Sequence, residues 1–133
     1  MELGFETTLI RDLNTTNSAT HLSAFENKAA AADVAVIYYA GHGMAVSGQN
    51  YLIPVDADVT SEQNLIETAV PLSRLLDIVS EAARFGVVLF DACRTDPRTD
   101  DIILADGSRG IRQGLLSDVP EQDGVILGFA AQQ

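Results

Sequence analysis

The chain has one cysteine, Cys93, in 133 residues. A single thiol excludes an internal disulfide and any metal centre built from several thiolates. It leaves room for one reactive thiol, which suits a reducing compartment, and the expected location is cytoplasmic. Tryptophan is missing, and three tyrosines and five phenylalanines supply all the aromatic bulk. Hydrophobic residues still make up 47% of the chain, so aliphatic side chains must fill most of a single core. Basic residues are scarce: 8 Lys and Arg stand against 19 Asp and Glu, a net charge of −11. That balance argues against nucleic acid as a partner and favours basic peptides or cations. No apolar run approaches the ~20 residues of a membrane span. Met1 to Phe5 has neither the basic nor the apolar region of a signal peptide, so no membrane partner is expected.

What the chain does have is a series of apolar runs between polar turns. Glu2-Leu3-Gly4-Phe5 reads as the last turn of a helix capped by Gly4. Phe5 to Ile10 reads as a strand. Ser18 to Ala32 reads as a helix with Leu22, Phe25 and Ala29 on one face, capped by Thr16, Asn17 or Ser18. Val34 to Tyr39 is a continuous apolar run, the pattern of a central parallel strand covered on both faces. Met44 to Val46 and Asn50 to Pro54 flank Ser47-Gly48-Gln49 as a hairpin, and Asp56 to Asn64 reads as a polar loop. Pro71 opens a helix with Leu72, Leu75, Leu76 and Val79 in one stripe, ending near Arg84. Gly86 to Phe90 is a buried strand, Thr95 to Gln122 an exposed, mobile segment, and Gly124 to Ala130 the last strand. This order implies an α/β sandwich with a largely parallel sheet. Both ends of the chain are abrupt, and a fragment of a larger domain is expected.

The two residues that carry chemistry stand in matching settings. His42 follows the run Val34 to Tyr39, and Cys93 follows the run Gly86 to Phe90. In parallel sheets, sites lie beyond the carboxyl ends of the strands, so adjacent strands would bring the two together. Cys93 is the candidate nucleophile, and His42 the candidate base and proton donor. The amides of Gly43 and Cys93 are candidate oxyanion donors. The competing reading makes Cys93 an inert buried thiol and His42 a turn residue. His21, on a helix, reads as a surface residue.

The strings Tyr38-Tyr39-Ala40-Gly41-His42-Gly43 and Asp91-Ala92-Cys93-Arg94 resemble the caspase-like superfamily of cysteine peptidases, peptidase C14 type, and more narrowly its prokaryotic metacaspase-like branch. His42 lies 51 positions before Cys93, close to the caspase spacing of about 50. Gly48 to Ala57 and Val70-Pro71-Leu72 also resemble segments of that family, and the likeness spans about Gly4 to Ala130. The resemblance implies a three-layer caspase-like sandwich with a mostly parallel central sheet, incomplete at both ends: the family's first strand and helix would precede Met1. It implies a Cys93–His42 dyad in an endopeptidase, Gly43 as an oxyanion donor, and Asp91 with Ala40 in substrate binding. An acidic residue at Asp91 is similar to metacaspases, which accept Arg or Lys at P1, and a carboxylate does favour a cationic side chain. The other reading of Asp91 is a strand-end cap. Thr95 departs from the glycine or serine of many relatives.

Residues 1–133 would then form one catalytic domain, with residues 94–123 as an exposed loop equivalent to the linker between subunits. Arg94, Arg98, Arg109 and Arg112 are candidate self-cleavage sites there, or balance Asp96, Asp100, Asp101 and Asp106. No cofactor is required by the chemistry. Related metacaspases often need calcium, and the same aspartates are its candidate ligands, without the spacing of an EF-hand. Partners are a peptide or protein with a basic P1 residue, and a second copy of the chain through the incomplete sheet. The alternatives are a caspase-like binding or regulatory module without catalysis and, less well supported, another thiol hydrolase on a flavodoxin-like sheet.

Overall fold

The structure is a computed structural model that describes residues 3–91, 111–113 and 119–130. Its elements run α1 (Ser18–Ala30), β1 (Val34–Ala40), β2 (Gly43–Val46), β3 (Gln49–Leu52), α2 (Glu62–Thr68), β4 (Val70–Pro71), α3 (Leu72–Ser80), β5 (Phe85–Asp91), β6 (Ile111–Gln113) and β7 (Val125–Phe129). The three apolar runs become a parallel sheet in the order β1-β5-β7. A second, antiparallel sheet has the order β4-β3-β2-β6. The result is the expected α/β architecture built on a parallel sheet.

The parallel register aligns three tiers of side chains on one face of the sheet. Ala35, Gly86 and Val125 form the first, Ile37, Val88 and Leu127 the second, Tyr39, Phe90 and Phe129 the third. Against that face packs the α3 stripe of Leu72, Leu75, Leu76 and Val79, joined by Ile78, with Leu22, Phe25 and Ala29 of α1 beside it. Phe90 is 1% exposed and lies between the rings of Tyr39 and Phe129, at centroid distances of 6.1 and 5.7 Å. Burying a side chain of that size stabilises the fold by roughly 2–3 kcal/mol. Gly86 lets α3 approach closely: a Cβ there would fall 2.4 Å from the Val79 carbonyl oxygen.

The opposite face of the sheet is open. Val36, Tyr38, Leu89 and Ile126 are all exposed there, Tyr38 by 64%, and no helix covers them among the described residues. β1 pairs with β5 on one side and with no described strand on the other. The expectation of β1 as a central strand covered on both faces is therefore corrected. An unbroken apolar run cannot distinguish a strand buried on two faces from one buried on a single face.

Four further expectations are corrected. Phe5 to Ile10 is irregular chain rather than a strand; Phe5, Leu9 and Ile10 are exposed and pair with nothing in a sheet. Gly4 has a left-handed φ of 77° but caps no helix among the described residues. The loop assigned to Asp56–Asn64 contains the start of α2: the Ser61 side chain accepts a hydrogen bond from the Asn64 amide at 3.0 Å, and Leu65 is fully buried against Val46. Residues 111–113 of the segment expected to be a loop form β6, paired with β2; residues 94–110 and 114–118 lie outside the described residues. Smaller shifts concern the helices, since α1 ends at Ala30 and α3 at Ser80. The hairpin is formed as expected, turning through Ser47 and Gly48 with φ of 49° and 80°, the left-handed pair of a tight two-residue turn.

Candidate active site

β1 and β5 end together. Ala40 is paired with Asp91, and the Gly41 amide donates to the Asp91 carbonyl at 3.4 Å. The chain then turns through Gly41 and His42 into β2. The His42 carbonyl is held from two sides, by the Tyr39 hydroxyl at 2.7 Å and the Ile53 amide at 3.0 Å. Gly41 permits this arrangement, because a Cβ there would lie 2.6 Å from the Tyr39 hydroxyl oxygen. Burial pushes the Tyr39 phenol above the ordinary tyrosine range, so it stays a hydrogen-bond donor at neutral pH. The His42 backbone is fixed while the residue itself is exposed.

Gly43 opens β2 opposite Leu52 and is buried. The bond from the Ile53 amide to the His42 carbonyl makes His42 and Ile53 a hydrogen-bonded pair. By the antiparallel alternation Gly43 is then a non-hydrogen-bonded position, and its amide points away from β3.

Asp91 is exposed at the end of β5, and its carboxylate accepts a hydrogen bond from the Tyr38 hydroxyl at 3.2 Å. Tyr38 and Tyr39 thus divide their work by strand alternation. Tyr39 turns inward to the core and the His42 loop; Tyr38 turns outward to Asp91. Neither was singled out from the sequence. The signal was the Tyr-Tyr doublet one step before the glycine turn, which places one phenol on each face.

A groove of about 560 Å³ borders β1, which no described strand pairs on one side, with Leu9, Leu22, Phe25, Tyr38 and His42 among its walls. The Ala40–Asp91 pairing and the Gly41–His42 turn bring Ala40, His42 and Asp91 to one end of the sheet, with Gly43 buried at the start of β2. Cys93, the candidate nucleophile, lies outside the described residues, two positions beyond Asp91.

The Peptidase C14 caspase-domain family model matches residues 1–133. The chain belongs to that family. No curated protein matches the chain. As a caspase domain it is a cysteine peptidase in kind, which fits the sheet, the His42 turn and the Asp91-Ala92-Cys93 sequence.

Among the described residues of this caspase domain, no three His, Cys, Asp or Glu side chains are placed to hold a metal ion. The aspartates considered for calcium, Asp96, Asp100, Asp101 and Asp106, lie outside the described residues, as do Arg94, Arg98 and Arg109. Arg112 is in β6, opposite Ala45. His21, expected at the surface, is half-buried on α1 and borders the groove. No described helix is long and apolar enough to cross a membrane.

Proposed function

We propose that this domain is an endopeptidase that uses a Cys93–His42 dyad and cleaves after Arg or Lys. One observation carries the reading: Ala40 and Asp91 are register partners, and His42 and Cys93 each follow their strand end by two residues. Two residues of chain reach at most about 7 Å. His42 and the segment that leads to Cys93 therefore follow neighbouring strand ends on one edge of the sheet.

In this reading the Cys93 thiolate attacks the scissile carbonyl and forms a carbon–sulfur bond. A free thiol titrates near ~8.5 and needs a neighbouring base to be nucleophilic at neutral pH. His42 takes the thiol proton and returns it to the leaving amine as the carbon–nitrogen bond breaks. Water then cleaves the thioester, losing a proton through His42, and the thiol is regenerated. The Gly43 amide, directed away from β3, and the Cys93 amide donate to the oxyanion. Asp91 receives the cationic P1 side chain beside the small Ala40. The net charge of −11 draws basic segments toward the site. No cofactor is required, and a reducing cytoplasm suits the thiol.

A catalytically silent binding role draws on a different observation, the side of β1 that no described strand pairs. Labelling with an acyl-arginyl chloromethyl ketone separates the two. The dyad reading expects one adduct on Cys93, none on Cys93→Ala, and labelling of His42→Ala slowed by about a hundredfold or more. An unlabelled native chain, or equal labelling of Cys93→Ala, would leave only the binding role.

A further inference from the structure

We infer that Tyr38 is a specificity-determining positioning residue, which anchors the Asp91 carboxylate and walls the subsite for the basic side chain. This rests on the basic-P1 reading above and deepens it. Register and alternation place Tyr38, Ala40, Leu89 and Asp91 on the same open face of the sheet, at its carboxyl end. Tyr38 pairs with Leu89, so Asp91 is its diagonal neighbour, and a residue larger than Ala40 would stand between them. With a methyl there, the Tyr38 hydroxyl reaches across to Asp91 Oδ2 at 3.2 Å.

Three consequences follow from that contact. The hydroxyl donates, so one carboxylate oxygen is engaged and the carboxylate is held in one orientation. Among the described residues no other group is seen to hold the second oxygen, which in this reading receives the cation. The phenol ring, 64% exposed beside the charge, offers apolar surface to the stem of an arginine or lysine and a π-face to a planar guanidinium. The negative charge of Asp91 also raises the Tyr38 phenol above the ordinary tyrosine range, aided by desolvation and the hydrogen bond, so the group remains a donor throughout the neutral range. Arginine gains more than lysine from such a wall, because its flat head can stack while its fork addresses the carboxylate.

The test uses the full chain carrying Cys93→Ala, so that no turnover occurs. N-acetyl-arginine amide, N-acetyl-lysine amide and N-acetyl-norleucine amide are titrated against it by NMR, with circular dichroism confirming that each further variant is folded. Both cations should bind better than norleucine, and Asp91→Asn should reduce them to its level. Tyr38→Phe, which keeps the ring, should weaken both cations by about three- to tenfold, the range of one ordinary hydrogen bond, and leave norleucine unchanged. Tyr38→Ala should weaken arginine further than lysine. If Asp91→Asn abolishes cation preference but Tyr38→Phe and Tyr38→Ala keep native affinities and the native arginine-to-lysine ratio, the role of Tyr38 falls and the basic-P1 reading stands. If the parent protein does not distinguish the cations from norleucine, the basic-P1 reading falls and takes this one with it.

Discussion

Gly86→Ala tests the packing that holds the candidate site together. β5 carries Asp91 and leads to Cys93, and its position depends on α3 lying flat against Gly86. An alanine Cβ would stand 2.4 Å from the Val79 carbonyl oxygen and 2.6 Å from the Val79 Cβ, where ordinary contact begins at 3.4 Å. The obstacle is helix backbone, so α3 must retreat by about 1 Å, opening gaps around Ile78 and Val79, both fully buried. Overpacking of this kind costs about 1–3 kcal/mol. Alanine also restricts the unfolded chain, which offsets about 0.4–1 kcal/mol. The net loss is about 1–2 kcal/mol, or about 4–8 °C in Tm for a chain of this size. Gly128→Ala is the matched control. Its Cβ would meet the Leu89 Cδ2 at 2.9 Å, the far end of a flexible side chain on the open face. That end can rotate away, so the change should stay within about 0.5 kcal/mol. Thermal and urea unfolding of both variants by circular dichroism decides the matter. A Gly86→Ala protein as stable as Gly128→Ala would mean that α3 does not rest on β5 as described.

Tyr39→Phe removes the hydroxyl bond to the His42 carbonyl but leaves the Ile53 amide bond; stability should fall by only about 1 kcal/mol, while arginyl chloromethyl ketone labelling slows several-fold, and unchanged labelling would show that the loop needs no such support. Arg74 grips Glu26 through two hydrogen bonds of 3.2 and 2.8 Å between α3 and α1, holding the Glu26 carboxyl below its ordinary range. A depressed carboxylate stabilises the fold above its unfolded titration range and loses that contribution as pH falls through its folded one; the urea-midpoint gap between the native chain and Glu26→Gln should close on acidification below pH ~4, and a gap that persists would refute the pairing. The side of β1 that no described strand pairs should promote association between copies, so size-exclusion chromatography should show a dimer fraction that grows with concentration, and a monomer at every concentration would count against it.

The sequence revealed elements whose signal is internal to them. The stripe Leu72, Leu75, Leu76, Val79 repeats at helical spacing and needs no knowledge of its neighbours, and α3 buries all four. The runs that became β1, β5 and β7 were equally plain, as was the Ser47-Gly48 turn. The misread elements depend on something elsewhere in the chain. Phe5 to Ile10 has the composition of a strand, but composition states only what a segment does when a partner edge is available. β6 has three residues, and its pairing of Gln113 with Met44 spans about half of the 133-residue chain. α2 has a single buried side chain, Leu65, so its hydrophobic period was too faint to see, although Ser61 was a fair cap signal.

The same distinction separates the legible part of the site from the hidden part. His42 was legible as a candidate because an imidazole between two glycines follows an apolar run. Tyr38 was hidden because its significance is relational: it arises from pairing β1 with β5 in one register rather than another. A slip of one residue would turn Tyr38 inward, send Tyr39 out, and break both the Asp91 contact and the support of the His42 carbonyl together. The register is in turn fixed by the core, since Ala35, Ile37 and Tyr39 must face α1 and α3 with Gly86, Val88 and Phe90 alongside. Packing of aliphatic side chains on one face of the sheet therefore dictates which polar groups meet on its rim. For that reason a methyl added at Gly86, remote from the rim, should disturb the Asp91–Tyr38 pair as well as the core.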